Sequence, residues 1–205
     1  SKTIKRQKER GKDFQNTIIA TITNFGHIDM TENWIYYIKE RGYDNFIIFA
    51  LDQLSFDYLS SRPNLIPSIH VFFHPSLSSN PDIQLYRQGD YNDIISKKTL
   101  LALDLLIFGF DVLFSDNDVV FLKDFLLESH FQDHIFSIQN DSFSKRIDIG
   151  CMGFYHVRSH PLTIKLIADV ILLMKITDFT EQNTVFNLMH SGFKTIIPYH
   201  ILPSD

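Results

Sequence analysis

The sequence contains only one cysteine, Cys151, in 205 residues, so it cannot form an internal disulfide. This excludes a small secreted scaffold held together by disulfides. The chain also lacks an apolar run of about 18 residues, the minimum for a membrane-spanning helix. Its longest apolar segment, Leu162 to Met174, is interrupted by Lys165 and Asp169. We therefore expect a globular protein with no membrane span in this chain.

Charge is present in both signs but is distributed unevenly, with a net charge of −5. Residues 1–12 contain six basic side chains and one acidic side chain, Glu9, so their net charge is +5. The rest of the chain therefore has a net charge of −10. An acidic body argues against nucleic acid as the partner. We interpret residues 1–12 as a basic tail or stem remnant, either solvated or in contact with a membrane surface or acidic partner. Residues 13–205 are interpreted as one domain.

The first half of that domain has the pattern of a βαβ unit. Hydrophobic residues make up 44% of the chain, enough for a full core. The apolar run Thr17–Thr23 predicts a buried strand, followed by a turn at residues 24–26. Thr31 is predicted to cap a helix that ends at Gly42. A second strand is expected over Asn45–Leu51. The order strand, helix, strand favours parallel pairing.

The second half alternates in the same way. Most of the segment from Ser60 to Asp93 is predicted to be loop, with a short strand at Ile69–Phe73. Further helices are predicted over Ile94–Phe108, Pro161 to about Lys175, and Glu181–His190, the last capped by Thr180. Further strands are predicted before Asp116, over Ile135–Ile138 and Met152–Val157, and from Ile196–Ile197 onward.

Two carboxylates, Asp116 and Asp118, stand where the apolar run from Val112 ends. Ligands of open α/β sheets bind at the carboxyl ends of strands. Two aspartates there have the chemistry to hold a hard divalent cation, and such a cation binds a diphosphate. The alternative interpretation is an Asp-rich turn at a strand end, because a short motif of this kind also occurs by chance.

Several segments together resemble a known family. They are residues 21–26, 98–109, 114–118, 153–161 and 181–187, and they agree in order and spacing over residues 17–203. This pattern resembles the nucleotide-diphospho-sugar transferases, in the group with plant cell-wall arabinosyl- and xylosyltransferases and protist α-galactosyltransferases. The resemblance implies an α/β fold of GT-A type, a three-layer α/β/α sandwich with a mostly parallel Rossmann-like sheet.

The same resemblance implies an enzyme that transfers a sugar from a UDP-sugar, with retention, to a glycan or glycoprotein hydroxyl, using Mn²⁺ or Mg²⁺. Asp118 corresponds to the main metal ligand, and Asp116 would share the metal and contact the donor ribose. The cation neutralises the leaving diphosphate as the glycosidic bond breaks. Lys98 would add a cationic contact to a phosphate or to the sugar; the alternative is a solvated helix lysine.

Other positions carry over from the family as donor-binding or catalytic residues. Glu181 and Gln182 match an acid–Gln pair near the reacting sugar carbon, where they would stabilise positive charge or align the acceptor. For Glu181 the alternative is an ordinary first-turn acid of a helix. The nucleotide pocket is lined in the family by positions that correspond to Thr21, Thr23 and Asn24, with Asp52 as a base or ribose contact.

The chain departs from the family pattern at two places. Cys151 stands two residues before Gly153, where the family usually has Asn, and one donor contact is weakened. Related enzymes also complete the metal site with a residue, often His, beyond the last strand. That segment would begin near Leu202. We therefore expect either that this sequence is a fragment of a longer protein or that a water is the third metal ligand. His200 is a weak substitute for the missing ligand.

Two alternatives of other kinds stay open. Residues 116–120 also resemble the first motif of haloacid-dehalogenase-type phosphatases, in which Asp116 would be the nucleophile. The second alternative is that the chain is a truncated or degenerate transferase, which binds a nucleotide-sugar but has no activity. The resemblance favours the Golgi lumen over the cytoplasm as the compartment.

Overall fold

The computed structural model describes residues 16–67, 70–83, 91–125, 133–141, 150–190 and 199–202. The predicted basic tail, residues 1–12, lies outside these ranges. The described strands are β1 (Thr17–Thr23), β2 (Phe46–Ala50), β3 (Val71–Phe73), β4 (Asp111–Ser115), β5 (Phe136–Asn140), β6 (Gly150–Val157) and β7 (Tyr199–Leu202). The described α-helices are α1 (Ile28–Glu40), α2 (Gln53–Ser60), α3 (Tyr91–Ile107), α4 (Pro161–Ile176) and α5 (Glu181–His190).

The strands form one sheet in the order β3-β2-β1-β4-β6-β5-β7. The pairs of β1 with β2, β1 with β4, β2 with β3, and β5 with β7 are parallel. Only β6 runs antiparallel to its two neighbours among the described strands. The mostly parallel sheet is therefore confirmed. From β1 the chain builds β2 and β3 on one side and then returns to place β4 on the other side of β1. The strand order therefore reverses at β1 and β4. A ligand crevice is expected at the carboxyl ends of strands at such a point.

Helices cover both faces of the sheet, which explains why the residues of its central strands β1 and β4 are almost all buried. Successive residues of one strand point to opposite faces. Ala20 and Phe114 pack with α3, α4 and α5 in one cluster. Ile19 and Leu113 pack on the other side with α1 and α2, where Trp34 is completely buried. The predicted three-layer sandwich is confirmed by these two clusters.

The start of α1 corrects one prediction. The helix begins at Ile28, so Thr31 lies inside it rather than at its N-cap. Thr31 is completely buried, and its hydroxyl donates to the carbonyl of His27 at 3.1 Å. The other end agrees with the prediction, since Gly42 follows the helix with a φ of 75°, a conformation in which glycine is unstrained.

Two other elements differ from the prediction. The helix α2 was not predicted, although it is capped by Asp52, whose carboxylate accepts from the backbone NH of Ser55. The helix α3 begins at Tyr91 instead of Ile94. The strand β7 begins at Tyr199, and the predicted start at residues 196–197 lies outside the described residues. None of the described helices has the length and apolar character needed to cross a bilayer.

Candidate active site

A cavity of about 350 Å³ opens where β1, β2 and β4 end. This is the point at which the fold predicts a ligand crevice, and the volume is within the range of small-molecule sites. Its polar lining consists of Thr23, Asn24, His27, Lys98, Asp116, Asn117, Asp118 and Glu181. Its less polar wall consists of Ile22, Met30, Leu51, Tyr91, Ile94 and Ile95. We call this cavity the first pocket.

A tight turn after β4 brings both aspartates into the first pocket. The backbone NH of Asp116 donates to the carbonyl of Gly153 on β6 at 2.8 Å, and the NH of Val119 donates back to the carbonyl of Asp116 at 3.2 Å. A Cβ atom at position 153 would lie 3.0 Å from Oδ2 of Asp116. Glycine at this position therefore lets the carboxylate of Asp116 lie directly against β6.

Lys98 joins two carboxylates that are far apart in sequence. Its Nζ lies 2.7 Å from Oδ1 of Asp116 and 3.4 Å from Oε1 of Glu181. The side chains of Lys98 and Glu181 are 4% and 6% exposed, whereas that of Asp116 is 41% exposed. The buried pair thus lies behind a carboxylate that is open to the cavity.

Burial and charge act against each other in this cluster. Burial alone lowers the pKa of Lys98, but the carboxylates of Asp116 and Glu181 outweigh it and raise that pKa above its ordinary value. Burial raises the pKa of Glu181, and Lys98 opposes that shift. Lys98 is therefore a fixed cation near neutral pH, and it holds Asp116 while offsetting the charge of Glu181.

A buried hydroxyl and amide network anchors the turn between the aspartates. The side-chain amide of Asn117 donates to Oγ1 of Thr31 at 3.0 Å and to Oγ1 of Thr23 at 3.4 Å. The two threonine hydroxyls lie 2.7 Å apart. Both threonines are buried, and the network links the turn after β4 to β1 and α1. The position of the Asp116–Asp118 turn is therefore fixed by three elements.

Asn24 organises the opposite wall. Its amide nitrogen donates to the carbonyls of Asn80 at 3.0 Å and Asp82 at 2.7 Å, which fixes the orientation of the amide group. Its oxygen consequently faces Nδ1 of His27 at 2.6 Å, so Nδ1 carries the proton. Burial lowers the pKa of His27, although Asp118 opposes the shift. The neutral His27 ring thus leaves Nε2 as an acceptor.

The first pocket brings together six of the nine residues predicted to form the site. These are Thr23, Asn24, Lys98, Asp116, Asp118 and Glu181. The other three, Thr21, Asp52 and Gln182, do not line it. Thr21 is completely buried inside β1. For these three residues, the direct roles implied by the resemblance stay predictions.

Asp52 and Gln182 have structural partners of their own. The carboxylate of Asp52 accepts from the backbone NH groups of Phe25 and Ser55, both at 2.8 Å, so it ties the end of β1 to the start of α2. The side-chain amide of Gln182 donates to Oδ2 of Asp141 at 2.9 Å, beyond the end of β5. Cys151 is outside the pocket as well, and burial raises the pKa of its thiol.

Eight lining residues were not predicted as site residues, and they include His27, Met30, Tyr91 and Asn117. Asn117 had a signal in the sequence, because it separates the two aspartates. His27 also had one, because it follows the turn after β1. Tyr91 had none, since it falls in the segment predicted to be loop. Pattern alone did not locate the start of α3.

The residues present fit a hard divalent cation bound together with a diphosphate. Within the described ranges, no group of three or more His, Cys, Asp and Glu side chains is placed to hold a metal ion. Mg²⁺ and similar ions are commonly held by one or two carboxylates, with waters and substrate phosphates completing the shell. Asp116 and Asp118 provide two such carboxylates with access to the cavity.

Comparison with known proteins assigns the family. The chain matches the nucleotide-diphospho-sugar transferase family over residues 41–203 and belongs to it. It is 28% identical over 188 residues to a UDP-galactose:fucoside alpha-3-galactosyltransferase of Dictyostelium discoideum, a match that covers 77% of this chain and 28% of that protein. It is 23% identical over 185 residues to a beta-arabinofuranosyltransferase of Arabidopsis thaliana, covering 86% of this chain and 34% of that protein.

A solved structure supports the fold independently. The glycosyltransferase GlyE of Streptococcus pneumoniae superposes with a TM-score of 0.55 at 12% identity, covering 90% of this chain and 44% of that one. The GT-A type of fold is therefore confirmed. The chain spans about a third or less of the length of the two curated relatives described above.

Proposed function

We propose that the chain catalyses metal-dependent, retaining transfer of a sugar from a UDP-sugar to a hydroxyl of a glycan or glycoprotein. The observation that carries the proposal is the placement of Lys98, Glu181, Asp116 and Asp118 in one cavity at the switch point of the sheet. The family supports a nucleotide-diphospho-sugar as the donor. A relative whose name specifies a fucoside acceptor supports a glycan as the acceptor.

The donor diphosphate is proposed to bind beside the two aspartates. Asp118 would be the main ligand of Mn²⁺ or Mg²⁺, and Asp116 the second ligand. When bound, the cation neutralises the negative charge of the leaving diphosphate. Lys98 contributes by holding Asp116 at 2.7 Å, so the carboxylate is oriented before the donor arrives.

The nucleoside is proposed to occupy the other end of the pocket. Ile22, Leu51 and Met30 provide apolar surface for a base and ribose. Asn24 and His27 provide polar groups that are held in place by their mutual hydrogen bond. The hydrogen bonds of Asn117 to Thr23 and Thr31 hold the turn that carries the two aspartates in a fixed position relative to β1 and α1.

The sugar carbon is proposed to react near Glu181. Its carboxylate lies behind Asp116, where negative charge stabilises the positive charge that develops on a sugar ring as its glycosidic bond breaks. Gln182 follows Glu181 in the first turn of α5, and its amide donates to Asp141. This amide would align the acceptor or the sugar. These two residues are the proposed catalytic pair.

Calorimetric titration of UDP, with and without Mn²⁺, tests the proposal. We expect wild-type protein to bind UDP at least tenfold more tightly with Mn²⁺, because the metal links the diphosphate to the carboxylates. Asp118→Asn should lose that enhancement. Asp104→Asn is the matched control, since Asp104 is an exposed carboxylate on α3 away from the pocket. Loss of the enhancement in both variants, or in neither, would contradict the assignment of Asp118.

Two alternatives are separated by further measurements. Metal-dependent UDP binding without release or transfer of the sugar from UDP-sugars would favour a non-catalytic nucleotide-sugar-binding protein. The phosphatase alternative, with Asp116 as nucleophile, is set aside because the chain belongs to the nucleotide-diphospho-sugar transferase family. The Golgi lumen is the compartment we propose from the resemblance alone, and microscopy of the full-length protein in its own cells tests it.

A further inference from the structure

A second cavity of about 620 Å³ lies on the other side of the first turn of α5. We call it the second pocket. Its lining includes Asn92 and Thr180, whereas their sequence neighbours Tyr91 and Glu181 line the first pocket. Successive Cα atoms are about 3.8 Å apart. At two places, therefore, residues that are adjacent in the chain line different cavities, so the two cavities share the starts of α3 and α5 as walls.

The second pocket combines amide groups with aromatic rings. Asn92, Asn183 and Asn187 contribute side-chain amides, and Phe179 and Phe186 contribute phenyl rings. The first turn of α5 is built so that its polar groups converge there, because the hydroxyl of Thr180 accepts from the NH of Asn183 at 3.3 Å and donates to its side-chain oxygen at 3.0 Å.

Several of these polar groups are available to a ligand. Asn92, Asn187 and Asp178 are exposed, and their side chains make no hydrogen bond to other residues in the described part of the chain. An amide offers donors and acceptors side by side, which suits pairs of neighbouring hydroxyls. Phe179 is 48% exposed, so one of the two rings has open surface. An aromatic face of this kind packs against the apolar C–H face of a sugar ring.

The charge of the second pocket selects among carbohydrate ligands. No Lys or Arg side chain is among its described lining residues, and Asp178 adds a negative charge. A phosphate or carboxylate group would be repelled there. The first pocket differs, because Lys98 gives it a cation beside its carboxylates. The chemistry of the second pocket is therefore that of a neutral saccharide site.

We propose that the second pocket binds a neutral glycan and that this glycan is the acceptor. The inference rests on the proposed function, which supplies the donor in the first pocket. One sugar unit of the acceptor lies on Phe179 and between the amides of Asn92 and Asn187. The next unit then extends past the first turn of α5 toward Glu181, where its hydroxyl meets the donor sugar.

Saturation-transfer NMR, which detects the binding of neutral saccharides to the full chain, tests the proposal. The ligands are methyl glycosides of galactose, glucose, fucose, xylose and arabinose, with disaccharides of the same sugars. We expect saturation transfer from wild-type protein to at least one of them. The double variant Asn92→Ala/Asn187→Ala should weaken that binding at least tenfold. Asn33→Ala, at an exposed asparagine of α1, should leave it unchanged.

A second pair of variants isolates the aromatic contribution. Phe179→Ala should weaken saccharide binding several-fold. Phe72→Ala is its matched control, because Phe72 is 47% exposed on the edge strand β3, away from both cavities. The proposal is overturned if no saccharide in the set binds wild-type protein, or if the Asn92/Asn187 and Phe179 variants bind as tightly as their controls.

Titration of UDP with Mn²⁺ separates this inference from the proposed function. Each second-pocket variant should bind UDP within about twofold of wild type, because none of the changed residues lines the first pocket. Saccharide binding without UDP binding would refute the donor assignment and leave the saccharide site. UDP binding without saccharide binding would refute the second pocket as an acceptor site.

Discussion

Lys98→Met is expected to lower the free energy of unfolding at pH 7 by about 3–5 kcal/mol, the usual cost of removing one partner from a buried ion pair. Methionine replaces the aliphatic stem of Lys98 but not its charge. Glu181, whose side chain is 6% exposed, would lose the ammonium group 3.4 Å from its carboxylate. Urea unfolding of both proteins measures the difference.

The double variant Lys98→Met/Glu181→Gln shows whether charge is the cause. Removing both charges leaves a neutral amide in place of the uncompensated carboxylate, so we expect at least half of the lost stability to return. Lys165→Met is the matched control, because the exposed pair Lys165–Asp169 on α4 has a 2.5 Å contact but should contribute less than about 1 kcal/mol. A Lys98→Met effect no larger than that of the control would contradict the prediction.

The central part of the fold was predictable because its signals are local. The apolar run of β1 and the amphipathic pattern of α1 specify a strand and a helix within a few residues of their observed bounds. Helix α2 was not predicted because it is only eight residues long and buries only Ser55 and Leu59. Its clearest signal was Asp52, which also serves as the N-cap but was interpreted as a nucleotide contact.

Strand direction was not readable from the sequence. The pattern of β6 indicates a strand, but its antiparallel pairing with β4 and β5 depends on how the segments around it cross the sheet. The register of β6 with β5 also shifts between Ile138 and Gln139. Irregular pairing of this kind arises from tertiary packing rather than from local preference.

The site was predictable to the extent that its residues lie close together in sequence. Asp116 and Asp118 stand out from their position after a buried strand. The contact between Lys98 and Glu181 joins residues 83 positions apart, and the resemblance named both residues without predicting that they form an ion pair. The network of Asn117 with Thr31 was missed because its members are common polar residues, and their proximity depends on the packing of α1 against β4.

His156 is expected to make the protein less stable in mild acid. It is completely buried in β6, and burial, aided by the positive charge of Arg158, lowers the pKa of its ring to about 3. The unfolded chain takes up a proton at the ordinary pKa of about 6.5, whereas the folded chain does not. The contribution of His156 to the free energy of unfolding is therefore fully present above pH 6.5 and is lost as the pH falls toward 3.

Between about pH 6.5 and pH 5 the expected loss from His156 is about 2 kcal/mol, from about 1.4 kcal/mol for each unit of pKa difference. Glu181 acts in the opposite direction, because burial raises its pKa and favours its protonated form in the folded state. The measurement is therefore a difference, obtained from urea unfolding of wild type and His156→Leu across this range. The variant should lose less stability on acidification, and His74→Gln, at an exposed histidine, should follow wild type. If the free energy of unfolding changed with pH in the same way for wild type and His156→Leu, His156 would not be the cause of the loss of stability in acid.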